Sequence, residues 1–240
     1  MVKLKTEIRH LVVLHGWTLD HNVVTKWQPI LELLKKTGLK VHFWPLPGLA
    51  QAPEKPLTLS DYVAWLENKT KTLDSFFLLG HSFGGQLAIR FARLNSNKVR
   101  GLILVDNSGI IDPAFTKVIK RLVFRTLAKA GKTLTKSPTL RRLLYRFARE
   151  TDYYEASPTQ QATMRNILAD EIKTDLPQLK IPTLVIWGEA DRVTPLALGR
   201  KIAQTIPQAQ LKILPNARHS AVYTHPEAVV DLVEKFIKNN

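Results

Sequence analysis

The sequence predicts an α/β protein: a mainly parallel central sheet flanked by helices, with one helical insert. Three observations carry this. Short apolar runs recur along the 240 residues and close on Gly, His or Asp. Stretches with apolar residues at helical spacing separate those runs, as in βαβ units. One region, Ile111 to Asp175, breaks the alternation and reads as helical throughout.

The elements follow in order. Leu11-Val12-Val13-Leu14 is uninterrupted by polar residues, which suits a strand covered on both faces. Trp27 to Leu39 carries Ile30, Leu31, Leu33 and Leu34 on one face, and Gly38 closes it. Val41 to Trp44 is a second strand, punctuated by Pro45, Pro47 and Gly48. Leu59 to Thr72 is a helix, with Ser60 as its expected N-cap. Phe76 to Leu79 is a third strand, Gln86 to Leu94 an apolar helix, and Gly101 to Val105 a fourth strand. Ile181 to Trp187 and Gln210 to Leu214 complete six strands. Pro226 to Lys238 closes the chain as a helix with Val229, Val230, Val233 and Phe236 inward. Residues 1–110 and 176–240 thus form the core domain, and 111–175 an insert over the sheet.

Composition narrows the classes. A hydrophobic fraction of 45% excludes a mainly disordered chain. No apolar run approaches the roughly 18 residues that span a bilayer, and the short N-terminal run lacks a signal-peptide pattern, so the protein reads as cytoplasmic. Without cysteine there is no disulfide, thiol nucleophile or thiolate metal site. The seven histidines show no H-x₃-H or H-E-x-x-H spacing, so no metal is expected, and no cofactor is called for.

Gly80-His81-Ser82-Phe83-Gly84 matches G-x-S-x-G, and Gly85 adds a third glycine. A sharp strand-to-helix turn that projects one hydroxyl above a sheet edge needs neighbours with almost no side chain. An apolar strand before the motif and an apolar helix after it supply that context and make Ser82 the candidate nucleophile. The competing reading is a tight turn in which Ser82 merely caps a helix.

A serine hydroxyl needs a base to take its proton. His219, in Ala217-Arg218-His219-Ser220 just past the sixth strand, is the candidate; His225, beside Pro226, is the competitor. The imidazole in turn needs a carboxylate. Asp191, in Gly188-Glu189-Ala190-Asp191 past the fifth strand, fits; Glu189 and Asp106, at the end of the fourth strand, remain open. Two backbone amides must face the developing oxyanion. Phe83, after the nucleophile, and Trp17, in His15-Gly16-Trp17 after the first strand, are placed to provide them, while His15 braces that loop.

With HGW, GHSFGG, GEAD and RHS in this order, the chain resembles the α/β-hydrolase superfamily, in the branch of small serine carboxylesterases. The likeness runs nearly the whole length. It implies a sheet of about eight strands with a helical cap after the strand ending at Val105. It also implies hydrolysis of carboxylic esters, short to medium acyl chains favoured, through a Ser82-His219-Asp191 triad and an acyl-enzyme. Thioesterases, carbon–carbon bond hydrolases, acyltransferases and cofactor-free peroxidases use the same machinery, and a non-catalytic member binding a small molecule or a membrane is the reading from another class. The Pro45–Ala52 loop departs from the family's P-G-[FH]-G-x-S pattern, and Ser82 in place of a carboxylate argues against epoxide or haloalkane chemistry.

The net charge is +15, and eleven Lys or Arg with no Asp or Glu fall between Lys117 and Arg149. The first reading is two cap helices with solvated cationic faces. The second is attraction to an anionic membrane surface or an acylated acidic carrier. Nucleic acid has neither aromatic interleaving nor a reader motif to support it.

Overall fold

The computed structural model describes residues 9–110 and 155–240. Six strands form one sheet: β1 (His10–Leu14), β2 (Lys40–Phe43), β3 (Phe76–His81), β4 (Val99–Val105), β5 (Thr183–Gly188) and β6 (Ala209–Leu214). Their order is β2-β1-β3-β4-β5-β6, and every pairing is parallel. The described residues thus hold six strands where the resemblance implied about eight. Every loop leaving a carboxyl end opens on the same edge.

Strand composition follows from covering both faces. All residues of β3 and β5 are buried, because side chains alternate between two apolar layers. Val12, Leu14, Leu78, Leu104 and Trp187 face one layer. Leu11, Val13, Leu79, Val105 and Ile186 face the other. The first layer is covered by α2 (Leu59–Lys69), α3 (Phe83–Leu94), α4 (Pro158–Ala169) and α5 (Leu196–Thr205). The second is covered by α1 (Val23–Lys36), the short α6 (Ala221–Thr224) and α7 (Pro226–Lys238).

Several boundaries differ from the sequence expectation for identifiable reasons. Helix α1 begins at Val23, four residues before Trp27, and carries Pro29 inside it. It ends as expected ahead of Gly38, whose φ is 85°. The N-cap of α2 is Thr58 rather than Ser60. Its hydroxyl accepts from the Asp61 amide while the Asp61 carboxylate accepts from the Thr58 amide. Helix α5 has no counterpart in the sequence reading; Pro195 and Gly199 masked it, and Gly199 is there because the Trp187 ring lies against it.

Of the expected insert, residues 111–154, including the cationic stretch, lie outside the described residues. The remainder is moored at two places. On α4, Gln160 donates to the Leu49 carbonyl, Asn166 to the Leu57 carbonyl, and the Thr163 hydroxyl accepts from the Leu57 amide. From α3, Gln86 donates to the Ile167 and Asp170 carbonyls, and Arg90 pairs with Asp170 and Asp175. Residues 155–175 are therefore fixed to α3 and to the loop after β2. Among the described residues no helix is long and apolar enough to cross a membrane.

Candidate active site

Three loops at the carboxyl edge converge on one point. Between β3 and α3, Ser82 has φ 53° and ψ −118°, a left-handed conformation that costs a non-glycine residue roughly 1–3 kcal/mol. The turn is held from both sides: Ser82 N–H donates to the Val105 carbonyl, and the Ser82 carbonyl accepts from the Gly85, Gln86 and Ser108 amides. The neighbouring glycines are sterically required. A Cβ on Gly80 would stand 2.4 Å from the Gly84 carbonyl oxygen, and one on Gly84 would stand 2.4 Å from the Leu14 carbonyl oxygen. The backbone at the start of α3 thus lies directly on the end of β1.

Ser82 Oγ is 3.0 Å from His219 Nε2, and His219 Nδ1 is 2.9 Å from Asp191 Oδ2. Asp191 is fixed by an Asx-type turn in which Oδ1 accepts from the Val193 and Thr194 amides. Its Oδ2 accepts from the Thr194 hydroxyl at 2.7 Å. Burial alone would raise the Asp191 carboxyl. The hydrogen bond and charge of His219, with the Thr194 and Val193 donors, outweigh it and hold the carboxyl below its ordinary value. An ionised acid, an imidazole and a hydroxyl in this line can pass a proton from the serine to the histidine.

The loop after β1 lies over the serine, since the position of a Cβ on Gly16 falls 3.1 Å from Ser82 Cβ. Among the described residues, neither the Trp17 nor the Phe83 amide donates to a protein acceptor. His15 braces this loop, as expected. Its Nδ1–H donates to the Gly16 carbonyl at 2.7 Å and its Nε2 accepts from the Leu46 amide at 2.8 Å. The bond from Leu46 needs the neutral ring, and burial, outweighing the opposing bond to Gly16, lowers its pKa to about 4. Among the described residues no cluster of three or more His, Cys, Asp or Glu could hold a metal ion.

The model of the alpha/beta hydrolase fold family matches residues 9–226. The chain belongs to the α/β-hydrolase family. Relatives match it over most of its length. The AB hydrolase superfamily protein YisY of Bacillus subtilis is 27% identical, with 95% of this chain and 91% of YisY covered. The pimeloyl-[acyl-carrier protein] methyl ester esterase of Legionella pneumophila (strain Paris) is 27% identical, with 95% of each covered. Among solved structures, a thermophilic esterase from Thermogutta terrifontis superposes with a TM-score of 0.70 at 24% identity, covering 96% of this chain and 90% of that one. That likeness concerns the fold.

In this α/β-hydrolase, the alternatives weighed from sequence fall elsewhere. Glu189 accepts from the Asn216 amide at the surface. His225 is half-buried and bonded to the Thr224 hydroxyl. Asp106 is buried beside the site, but its oxygens face the Gly188 and Ala221 amides. Two contributors were missed. Thr194 sits 2.7 Å from Asp191 Oδ2 and 3.1 Å from His219 Nδ1. His81 donates from Nε2 to the His219 carbonyl at 2.8 Å. Nothing in the sequence pattern marks either, because they reach His219 across 25 and 138 residues of chain.

Proposed function

We propose that this chain is a carboxylic ester hydrolase working through an acyl-enzyme on Ser82, with His219 as general base and acid and Asp191 as its orienting carboxylate. The carrying observation is the continuous line Ser82 Oγ–His219 Nε2 at 3.0 Å and His219 Nδ1–Asp191 Oδ2 at 2.9 Å. Ser82 Oγ attacks the ester carbonyl carbon while its proton passes to His219 Nε2. The carbonyl oxygen, now an anion, takes hydrogen bonds from the Trp17 and Phe83 amides. Collapse breaks the bond to the alcohol oxygen, which leaves with the proton from His219. Water then attacks the acyl-enzyme by the same path, releasing the acid and Ser82.

Residues 111–175 serve in this reading as a cap over the pocket, and the moorings of Gln160, Thr163 and Asn166 favour a fixed stem for it. The substrate class proposed is an ester of a short to medium acyl chain, and the protein is read as cytoplasmic, in keeping with a chain that has no cysteine. A carrier-bound ester is the second reading. It is favoured by the eleven cationic residues from Lys117 to Arg149 and by the esterase named for a pimeloyl-[acyl-carrier protein] methyl ester among the relatives.

A fluorophosphonate probe and a series of p-nitrophenyl esters of increasing chain length test the first reading. Labelling of Ser82, loss of turnover in Ser82→Ala and a maximum at short to medium chains are expected. An unlabelled Ser82 with unchanged turnover in Ser82→Ala defeats it. For the second reading, a methyl ester is presented free and on an acidic carrier. A carrier preference that disappears at high salt is expected, and equal rates at all salt concentrations exclude it.

A further inference from the structure

The fourth strand ends in a carboxylate that the reaction above does not use. Asp106 is fully buried, and its φ of 46° is left-handed, a strain that persists only where the surroundings over-determine it. One carboxylate oxygen accepts from the Gly188 amide at 2.8 Å, and the other lies 3.4 Å from the Ala221 amide. Gly188 begins the loop that carries Asp191, and Ala221 stands two residues after His219. The Asp106 carbonyl is 3.3 Å from the Thr194 hydroxyl that also touches both Asp191 and His219. Its own amide donates to the Ile186 carbonyl. No cation pairs with this carboxylate among the described residues.

We propose that Asp106 is a positioning residue: its ionised carboxylate ties the Asp191 loop and the His219 loop to the end of β4 and so sets the distance from His219 to Ser82. The proposal rests on the triad reading above. It gives a purpose to a buried charge that has no cationic partner among the described residues and that burial disfavours. An apolar residue of the same size would leave two buried amides without an acceptor.

The chemistry of the clasp predicts how it fails. A protonated Asp106 carries hydrogen on one oxygen, which then confronts an amide N–H instead of accepting from it. Burial raises this carboxyl to about 6, with the Asp191 charge adding and the Gly188 and Ala221 amides and His219 opposing. The titratable groups that face it are Asp191 from the loop after β5 and His219 from the loop after β6. The hold on the two loops is therefore complete at neutral pH and slackens in mild acid.

Asp106→Asn fixes the protonated shape at every pH. Its kcat/KM at about pH 8 is expected to fall by about 10- to 100-fold, the scale of a misplaced catalytic group. KM should move little. The ratio of wild type to variant then shrinks toward one at about pH 4.5, because the wild type has itself lost the carboxylate. A ratio constant across this range is what a merely structural residue gives, and it overturns the proposal, as does an unchanged rate. If the variant does not fold, the wild type decides: the Gly188 and Ala221 amide resonances should shift together with a midpoint of about 6. Amide shifts that stay flat across that range overturn it. Failure of the esterase reading is recognised separately, by an unlabelled Ser82 in the wild type.

Discussion

Gly84→Ala places a methyl group where the start of α3 rests on the end of β1. The new Cβ would stand 2.4 Å from the Leu14 carbonyl oxygen and 2.6 Å from the His15 carbonyl oxygen. Both obstacles are buried backbone, one at the end of β1 and one just after it, so neither swings aside. Reaching the 3.0 Å below which Cβ contacts essentially never occur requires a shift of at least 0.6 Å. That shift separates the Phe83 amide, on α3, from the Trp17 amide, on the loop after β1. The two amides proposed to hold the oxyanion are thus pulled apart while Ser82, His219 and Asp191 keep their bonds to one another. Loss of one such donor costs roughly 10²–10³ in kcat, and a 1 Å misplacement about 10², so a fall of about 10- to 100-fold in kcat is expected. Overpacking adds about 1–3 kcal/mol of destabilisation. Steady-state kinetics on a p-nitrophenyl ester, with urea unfolding alongside, measures both. A variant with wild-type kcat and reduced stability refutes the reasoning, because α3 would have moved without disturbing the oxyanion site.

Gly38→Ala is the contrasting case: φ is 85° but nothing lies within 4 Å of the new Cβ. Backbone strain alone should cost about 1–2 kcal/mol, visible as a lower Tm with unchanged kcat. Asp191→Asn removes the carboxylate that fixes His219 and should lower kcat by about 10⁴, while fluorophosphonate still labels Ser82 slowly. Burial lowers His15 to about 4 and His81 to about 3. Both stay neutral in the folded protein while the unfolded chain takes up protons below about 6.5. Stability should therefore fall as pH drops from about 6.5 toward 4, by up to about 1.4 kcal/mol per unit for each ring, as urea midpoints will register. Asp106 acts in the opposite sense. Its folded pKa is raised from 3.8 to about 6, so its contribution is present at low pH and lost as pH rises through about 6. Relative to wild type, Asp106→Asn should gain about 3 kcal/mol between about pH 4 and pH 7; a difference independent of pH contradicts this.

Much of the architecture was legible in the chain because apolar periodicity is a local signal. Strands β3 and β5 read as uninterrupted apolar runs since helices cover both sheet faces, and α7 matches its expected span from Pro226 to Lys238. Elements whose sequence mixes signals were lost or misplaced. Helix α5 carries Gly199 for the sake of Trp187, and α1 tolerates Pro29 in its first turns. The cap of α2 fell on Thr58 because the partner that completes the box, Asp61, lies three residues on.

The turn that carries the candidate nucleophile rests on chain-local facts: a strand, three glycines and a helix. By itself the sequence determined the candidate serine, the order of its partners and the parallel sheet that gathers their loops on one edge. Only the tertiary structure decided which carboxylate faces His219. Asp191, Glu189 and Asp106 all follow or flank strand ends, and their separation in sequence says nothing of where a side chain points. Packing of β4, β5 and β6 turns Asp191 to the imidazole, Glu189 to the Asn216 amide, and Asp106 to the Gly188 and Ala221 amides. The same packing brings His81 and Thr194 against His219. Hydrogen-bond partners across loops are set by three-dimensional register, which no pattern along the chain encodes.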